Sequence, residues 1–376
     1  MFYDVAVVGA GVFGAWSAYK LRQQGASVLL IDAYGPGNSR ASSGGESRMI
    51  RMGYGPDEIY SRMAQRSLVL WQELFGERHN LFVKTGILWL AHDRDPYCEA
   101  TAATLQRIGV PHEKLDRNEL ARRYPQITLG KVAWGIIEPD SGVLLARRAV
   151  QVVAAAARAL GVDYSEEAIA PPAANGPIRN VSGDEIRAGA YVFACGPWLP
   201  KLFAELLGEL IHVTRQEVVF LGVPPGDDRF NVGVMPCWID FNDLVYALPN
   251  VEGRGFKLAI DAHGPEFDPD SGQRVVTTSG LDAVRKYLTQ RVPLVADAPV
   301  TETRVCQYEN TSNGDFLIDK HPGFENVWLV GGGSGHGFKH GPVVGEYVAQ
   351  MLSGNGTPEP RFSLATKRKV QERKVF

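Results

Sequence analysis

The feature that most constrains the fold is a run of three glycines directly after a short apolar segment at the start of the chain. Residues 2–8 are predicted to form a buried strand, and Gly9, Gly11 and Gly14 follow it. Gly9 permits a tight turn, and Gly11 lets the backbone approach a pyrophosphate. Gly14 lets the next helix pack closely on the strand. The run therefore predicts the strand–turn–helix unit of a dinucleotide-binding fold.

The residues after the turn strengthen this prediction. Val12 and Phe13 open a helix, whose unpaired N–H groups and partial positive charge favour a phosphate. A second buried strand follows and ends in Asp32, 18 residues after Gly14, where a carboxylate can accept hydrogen bonds from ribose hydroxyls. Strand, glycine turn, helix and acid together favour a nucleotide site over a glycine-rich turn without a ligand.

Two later segments favour FAD over NAD. "YVFACGPW" is a buried strand that ends just before Gly196, and "VWLVGGGSGHGFKHG" places a second glycine turn more than 300 residues after the first. A nucleotide site built from both ends of the chain suits a long ligand. A fold that binds only NAD is normally complete within the first half of such a chain.

Composition excludes several classes of protein. The chain has 376 residues, 45% of them hydrophobic and 22% charged, and a net charge of −3, so we expect a two-lobed soluble enzyme without affinity for nucleic acid or a membrane. Its four cysteines form no CxxC pair and have no metal-ligand spacing. No uncharged run reaches the about 18 residues that a membrane span needs. We therefore expect a cytoplasmic protein with no metal site.

The remaining pattern predicts an α/β fold with two lobes. Residues 35–55 are rich in glycine and serine, so we expect a functional loop there without regular structure. Residues 213–265 contain runs typical of antiparallel strands. We predict a Rossmann-like FAD-binding domain and an antiparallel-sheet (α+β) substrate domain. The first comprises residues 1–80, 145–212 and 300–376, and the second comprises residues 81–144 and 213–299.

Several short segments carry a family resemblance along nearly the whole chain. They include "VVGAGVFGAWSAYKL", "GGESRMIRMGYG", "KTGILWL", "EPDSGVL", "GFKL", "CQY", "FLID" and "GSGHGFK". In this order they resemble the amine-oxidising flavoproteins of the D-amino-acid oxidase superfamily, and within it the monomeric sarcosine oxidase and N-methyltryptophan oxidase family. The resemblance implies an FAD-dependent amine oxidoreductase.

The resemblance gives Cys306 a chemical role. From the residues alone, Cys306 is interpreted as a small buried apolar residue. In the family, the cysteine of "C-x-Y" forms a thioether with the 8α carbon of the flavin, so the resemblance implies a covalent FAD. The other implied cofactor-binding residues are Gly9, Gly11, Val12, Phe13, Gly14, Asp32, Ser43, Arg48, Gly196, Trp198, Gly333, Gly335, His336, Gly337 and Lys339. For His336 a structural role in the glycine turn is preferred over acid–base chemistry.

Two residues are implied to act in catalysis. Lys257 matches the lysine that activates oxygen, because a fixed positive charge favours the formation of superoxide. On a strand, Lys257 would point away from Phe256 and Leu258, and the alternative is an outward, solvated lysine. Arg48 resembles an arginine against the flavin face, with a surface ion pair as its alternative.

The implied substrate carries a carboxylate. Arg51 and Lys339 match the residues that hold this group, while Tyr246 and Tyr308 match tyrosines that line the pocket. Asp261 departs from the pattern, because sarcosine oxidases have a histidine four residues after the lysine. A carboxylate there would repel a substrate carboxylate or attract a cation, which favours an amine larger or more polar than sarcosine.

These observations predict a monomeric FAD-dependent oxidase of secondary amines such as N-alkyl amino acids, which reduces O₂ to H₂O₂. The alternatives are a fructosyl amino acid (Amadori) oxidase, or a related dehydrogenase or demethylase that uses another electron acceptor. From a different class, a flavin-binding subunit without turnover is disfavoured by the complete set of cations. A disulfide reductase is disfavoured because no CxxxxC follows the first helix.

Overall fold

The computed structural model describes residues 1–77, 79–173 and 176–372. The strands are β1 (Tyr3–Val8), β2 (Val28–Asp32), β3 (Arg48–Ile50), β4 (Phe82–Lys84), β5 (Ile87–Ala91), β6 (Glu113–Asp116), β7 (Trp134–Glu138), β8 (Gly142–Leu144), β9 (Asp163–Glu166), β10 (Ala188–Phe193), β11 (Ile211–Leu221), β12 (Cys237–Asp240), β13 (Val245–Leu248), β14 (Phe256–Ile260), β15 (Val300–Thr311), β16 (Leu317–Lys320) and β17 (Val327–Gly331). The helices are α1 (Val12–Gln23), α2 (Glu58–Phe75), α3 (Pro96–Arg107), α4 (Arg117–Arg123), α5 (Ala146–Ala159), α6 (Leu199–Leu202), α7 (Ala204–Leu207), α8 (Thr278–Arg291) and α9 (Gly341–Leu352).

The nucleotide-binding unit is built around a six-stranded sheet in the order β16-β17-β10-β1-β2-β9. All neighbouring strands are parallel except β16 and β17. Strand β17 and residues 5–8 of β1 are buried and apolar, as expected for a parallel sheet that is covered on both faces. The N-terminal strand thus lies near the centre of the sheet, one strand away from the last strand of the chain.

The two ends of the chain also meet through helices α1 and α9, which contact each other closely. Glycines on α9 make this approach possible. A Cβ atom on Gly345 would lie 2.6 Å from the carbonyl oxygen of Trp16, and one on Gly341 would lie 2.9 Å from the Trp16 ring. The predicted convergence of the two distant glycine turns is therefore confirmed.

The second unit is an eight-stranded sheet in the order β15-β11-β14-β13-β12-β5-β7-β6. Its neighbouring strands are antiparallel except β12 and β5. The long strand β15 forms one edge of this sheet, although the predicted division assigns residues from 300 onward to the FAD-binding domain. The division of the chain into those two domains stays a prediction.

The predicted α/β fold class is confirmed, with a mainly parallel and a mainly antiparallel sheet as its two large sheets. The predicted irregular loop at residues 35–55 is wrong in one detail, because β3 lies within it. Strand β3 pairs with β8, and together with β4 they form a three-stranded sheet. Among the described residues, no helix is both long and apolar enough to cross a membrane.

Candidate active site

A cavity of about 300 Å³ lies where β1, β10 and β17 reach their carboxyl ends. In parallel α/β sheets this edge is the usual place for a ligand. Thirteen of the predicted cofactor-binding residues line the cavity, namely Gly9, Gly11, Val12, Phe13, Asp32, Ser43, Arg48, Gly196, Trp198, Cys306, Gly333, Gly335 and Gly337. We call this space the cofactor cavity.

The first glycines have different structural tasks. Gly9 has a φ of 103°, which disfavours other residues, and a Cβ atom there would overlap the carbonyl oxygen of Ala194. A Cβ atom on Gly14 would overlap the carbonyl oxygen of Gly9, so Gly14 serves helix packing and does not line the cavity. At Gly11 a Cβ atom would meet only Ser43 Oγ, at 3.5 Å, and would point into open space. The backbone is therefore most open to a ligand at Gly11.

Side-chain oxygens hold the glycine turn in place. Asp32 accepts hydrogen bonds from the backbone N–H groups of Ala10 at 2.7 Å and Tyr34 at 2.8 Å. Burial raises the pKa of Asp32, although these hydrogen bonds act in the opposite direction. Ser43 Oγ accepts a hydrogen bond from Val12 N at 3.0 Å. Both side chains thus shape the turn as well as line the cavity.

A second cavity of about 90 Å³ lies beside the first. The linings of both cavities include Arg48, Cys306, Tyr308, Ser334, Gly335 and Phe338, so the cavities adjoin along this shared border, which we call the common wall. We call the second space the substrate cavity. The other predicted residues that line it are Arg51, Tyr246, Lys257, Asp261, His336 and Lys339. His336 and Lys339 were also predicted as cofactor contacts, but neither lines the cofactor cavity.

The edge strand β15 contributes two residues to the common wall. Cys306 and Tyr308 are two residues apart on this strand, and alternation puts both side chains on the same face. Arg48 lies across from them and donates hydrogen bonds to Cys306 Sγ at 3.2 Å and to the carbonyl oxygen of Ser42 at 2.7 Å. A cation and a free thiol therefore lie together at the junction of the two cavities.

Lys257 is a buried cation on β14, with only 3% of its surface exposed. The interpretation as a solvated lysine is therefore wrong. Its ammonium group donates to the carbonyl oxygen of Ser47 at 3.0 Å and to Ser47 Oγ at 3.2 Å. Phe256 and Leu258 pack into the core on the opposite face of the sheet. Burial, reinforced by the nearby Arg48, lowers the pKa of Lys257 to about 7.

Two further buried cations, Arg51 and Lys339, lie deeper in the substrate cavity. The Arg51 guanidinium donates to the carbonyl oxygen of Gly53 and lies 4.3 Å from the centre of the Tyr54 ring and 4.9 Å from the Trp89 ring. Burial and the charge of Arg51 lower the pKa of Lys339 well below its ordinary value. Side chains from opposite ends of the sequence are therefore brought together here.

Tyr54 is a connecting residue that the sequence reasoning missed. Its hydroxyl accepts a hydrogen bond from Lys339 Nζ at 2.6 Å and contacts His340 Nε2 at 2.8 Å and His336 Nδ1 at 3.1 Å. His336 Nε2 also contacts the carbonyl oxygen of Gly314 at 3.1 Å. Burial, followed by the charges of Lys339 and Arg51, lowers the pKa of His340 well below its usual value. These contacts are consistent with a positioning role for His336.

Glu138, also missed, fixes the segment that carries Arg51. This fully buried carboxylate accepts hydrogen bonds from the N–H groups of Met52 at 2.8 Å and Gly53 at 3.1 Å. It also accepts from Trp89 Nε1 at 2.7 Å and Ser141 Oγ at 2.8 Å. Four donors satisfy the charge, so Glu138 orients the backbone next to Arg51 without an ion pair.

Asp261 brings a carboxyl group into the same cavity. Burial raises its pKa to about 6, while a hydrogen bond from the Tyr308 hydroxyl at 2.7 Å and the charges of Arg51 and Lys339 lower it. His263 lines the cavity two residues later, and burial lowers its pKa. The lining of the cavity therefore combines carboxyl groups, from Asp240 and Asp261, with four basic side chains, from Arg48, Arg51, Lys257 and Lys339, rather than cations alone.

Comparison with known proteins identifies the class. The family described as FAD dependent oxidoreductase matches residues 4–351, and the chain belongs to this family. The chain is 30% identical over 368 residues to the monomeric sarcosine oxidase of Bacillus sp. (strain NS-129), with 93% of each chain covered. It is 28% identical over 384 residues to the N-methyl-L-tryptophan oxidase of Salmonella heidelberg (strain SL476), with 97% of each covered. The protein is an FAD-dependent amine oxidoreductase.

Solved structures confirm the fold. The L-proline dehydrogenase of P. horikoshii superposes with a TM-score of 0.82 at 21% identity, with 96% of each chain covered. A thermally stable mutant of fructosyl peptide oxidase superposes with a TM-score of 0.81 at 21% identity, with 99% of this chain and 96% of the other covered. Both likenesses concern the arrangement of the backbone.

The residues of the cofactor cavity fit FAD. Gly11 opens the backbone toward the cavity at the N-terminus of α1, where a pyrophosphate is favoured. At the other end, the cavity reaches the wall with Cys306 and the cations beyond it. Among the described residues, no group of three or more acidic, histidine or cysteine side chains could hold a metal ion.

Proposed function

We propose that the protein is an oxidase of secondary amines that carry a carboxylate, of the sarcosine oxidase type, with O₂ as electron acceptor. The observation that carries this proposal is the common wall between the two cavities, with Arg48 in this wall and Lys257, Arg51 and Lys339 in the lining of the substrate cavity. When bound, FAD supplies the acceptor for a hydride equivalent from the carbon next to the amine nitrogen and passes electrons to O₂.

The buried cations that line the substrate cavity would have two different roles. Arg51 and Lys339 would bind the carboxylate of the substrate, the first through a planar pair of donors and the second as a point charge. Tyr246 and Tyr308 would pack against the rest of the substrate. The contacts with these cations and tyrosines would together orient the reacting carbon toward the common wall.

Lys257 and Arg48 would act at the wall itself. The Lys257 ammonium lies in a site that excludes water, where a fixed charge stabilises a developing anion more strongly than in solution. Since superoxide is the first product of oxygen reduction, we propose that Lys257 activates O₂. Arg48 would stabilise negative charge on the cofactor side of the wall.

We also propose that Cys306 holds the flavin covalently. Its sulfur is free, lies in both cavities and accepts a hydrogen bond from Arg48. Protein that is purified and precipitated with acid should remain yellow, and a Cys306→Ser variant should release its flavin into the supernatant. A colourless pellet from the parent protein would overturn the linkage and leave FAD bound only by non-covalent contacts.

Asp261 supports a substrate with an additional donor group. The carboxyl of Asp261 lies among the groups that would bind the substrate carboxylate. A substrate with a carboxylate and no further donor would therefore be attracted by the cations and repelled by Asp261. A fructosyl amino acid, with hydroxyl donors for Asp261, is the second candidate. The remaining alternative is a related dehydrogenase or demethylase that transfers electrons to another acceptor.

One experiment separates these functions. The purified protein is mixed without oxygen with a panel of N-methyl and fructosyl amino acids, and the loss of the yellow flavin absorbance is recorded. Bleaching followed by H₂O₂ on admission of air supports the oxidase. Bleaching without H₂O₂ identifies the dehydrogenase, and failure of every amine to bleach the flavin would support a non-catalytic flavin-binding subunit. We further propose a monomer in the cytoplasm, which gel filtration and fractionation test.

A further inference from the structure

Glu309 has a carboxyl oxygen that the protein itself leaves without a partner. The residue lies on β15 with 8% of its surface exposed. Its Oε1 atom accepts a hydrogen bond from Gly333 N at 3.2 Å, whereas Oε2 is buried and has no hydrogen-bond partner among the described residues. An unpaired buried carboxyl oxygen is costly, and its presence in a native fold calls for an explanation.

The free oxygen lies close to two glycines, Gly196 and Gly331, of which Gly196 lines the cofactor cavity. Oε2 is 3.8 Å from where a Cβ atom of Gly196 would be and 3.4 Å from that of Gly331. Gly196 follows β10 and Gly331 ends β17, so bare backbone surrounds the oxygen on these sides. Glu309 itself lines the cofactor cavity. The unsatisfied atom is therefore placed where a ligand can reach it.

The surroundings favour a neutral hydrogen-bond donor as its partner. Within the part of the chain that the structure describes, no lysine, arginine or histidine forms an ion pair with Glu309. Burial raises the pKa of Glu309 to about 7, while the N–H groups of Gly333 and Gly332 lower it. A phosphate would add negative charge next to this carboxyl group, whereas a hydroxyl group would donate to it without charge repulsion.

The position of Glu309 along the cofactor cavity indicates which hydroxyl groups of FAD it would contact, those of the ribose or those of the ribityl chain. Asp32 lies at the end of β2, on the ribose side of the predicted pyrophosphate site at Gly11. Glu309 lies three residues after Cys306 on β15, and its Oε1 atom accepts a hydrogen bond from the N–H group of Gly333 in the last glycine turn. The ribityl chain is the polyhydroxyl part of FAD that connects the ring to the pyrophosphate. We propose that Glu309 binds FAD by accepting a hydrogen bond from a ribityl hydroxyl through Oε2.

The proposal predicts opposite effects on stability and on FAD binding. Without cofactor, the buried carboxyl destabilises the fold, so its replacement should not lower the melting temperature of the apoprotein. With FAD present, the same replacement removes a hydrogen bond to a buried carboxyl. The inference depends on the FAD family, which is established, and not on the proposed amine substrate.

The test uses a Cys306→Ala background, in which FAD binds reversibly, and measures the FAD dissociation constant by quenching of flavin fluorescence. Glu309→Leu should weaken FAD binding about 10- to 100-fold. Glu309→Gln keeps an acceptor oxygen and should weaken it by less than about 10-fold. Glu302→Gln, on the same strand but paired with Arg254 and Arg304, should leave the constant unchanged. Unchanged binding in Glu309→Leu would overturn the proposal.

FAD analogues that lack one ribityl hydroxyl identify the partner. For one analogue, the affinity relative to FAD should fall strongly in the protein that retains Glu309 and only slightly in Glu309→Leu. The variant has already lost the hydrogen bond that this analogue removes. Equal losses in both proteins for every analogue would contradict the contact. A lower melting temperature of the Glu309→Leu apoprotein would assign Glu309 to support of the Gly332–Gly333 turn instead.

The phosphate alternative has its own signature. If protonated Glu309 donated to a phosphate, FAD binding would weaken as the pH rises from 6 to 8, and Glu309→Gln would bind as tightly as the parent. Cys195 and Asp32 are the other titratable groups close to this part of the cavity. The same pH series on Glu309→Gln separates their contribution. FAD binding that weakens with rising pH in the parent, and loses this dependence in Glu309→Gln, would overturn the hydroxyl assignment, whereas the hydroxyl contact predicts binding that tightens as Glu309 ionises.

Discussion

The two cavities that meet at the common wall differ in how they are built. The lining of the cofactor cavity includes six glycines, against one in the lining of the substrate cavity, so part of its recognition depends on backbone geometry. The substrate cavity is bordered by side chains with buried charges, held by partners from distant segments. Backbone geometry suits a cofactor shared by a whole family, whereas side chains can change with the substrate.

The largest effect is expected where the two cavities meet. Lys257→Met removes the only charge proposed to act on oxygen, so the reduced enzyme should react with O₂ about 100- to 1000-fold more slowly. Its reduction by substrate should change little. Because the pKa of Lys257 is lowered to about 7, the ammonium form prevails below that pH. The oxygen rate of the parent should therefore fall as the pH rises past about 7, and that of the variant should not.

Stopped-flow measurement of both half-reactions checks this prediction. Equal slowing of reduction and reoxidation would place Lys257 among the structural residues of the wall. A Lys257→Arg variant keeps a charge and serves as the matched control, because it should restore part of the oxygen rate.

The backbone character of the cofactor cavity predicts a contrast between two glycines. In Gly11→Val the new side chain meets only Ser43 Oγ, at 3.5 Å for its Cβ atom, and otherwise enters the cavity. FAD binding should weaken about 100-fold or more, with the apoprotein still folded. In Gly14→Ala the new Cβ overlaps the carbonyl oxygen of Gly9, so the fold itself should lose stability.

Melting curves with and without FAD distinguish the two glycines. The comparison between the cavities fails if Gly11→Val retains normal FAD affinity, because the backbone opening would then have no part in recognition.

A smaller effect is expected from the acid of the substrate cavity. Asp261→Asn removes a negative charge near Arg51 and Lys339, so simple carboxylates should bind about 10-fold more tightly at pH 8. The pKa of Asp261 is raised to about 6, so the carboxyl becomes neutral as the pH falls through 6 and the advantage of the variant should disappear there. Binding titrations at pH 5 and pH 8 measure this.

His263 also lines the cavity and titrates, so the parent and the variant must be compared at each pH. Asp228→Asn, an exposed acid away from the cavity, is the matched control. If Asp261→Asn leaves carboxylate affinity unchanged at both pH values, Asp261 does not influence substrate choice.

The difference between the cavities also explains what could be predicted from the sequence. The turn at Gly9, Gly11 and Gly14 depends on local backbone requirements, so the spacing of the glycines in the sequence is sufficient to predict it. The convergence of this turn with Gly333 followed from two similar patterns at the chain ends. Strand β3 was missed because three residues in a glycine-rich loop carry too little periodicity, and its pairing partner β8 lies more than 90 residues away.

The substrate cavity could be predicted only in part. Arg51, Lys257 and Lys339 were identified by resemblance, because nothing local distinguishes a buried cation from a solvated one. Tyr54 and Glu138 were missed, since their importance arises from contacts that only the folded chain creates. Glu309 was missed for the same reason, although its place directly after Tyr308 in the wall strand offered a signal.

The central claim is that a carboxylate bound by Arg51 lies next to the flavin at the common wall, and this claim can be tested directly. The FAD-loaded protein is titrated with an unreactive short carboxylate such as acetate while the visible flavin spectrum is recorded. We expect a saturable change in the spectrum of the parent, and Arg51→Ala, with the same FAD content, should need about 100-fold more ligand. Carboxylate binding, seen by calorimetry, that leaves the flavin spectrum unchanged would contradict the account.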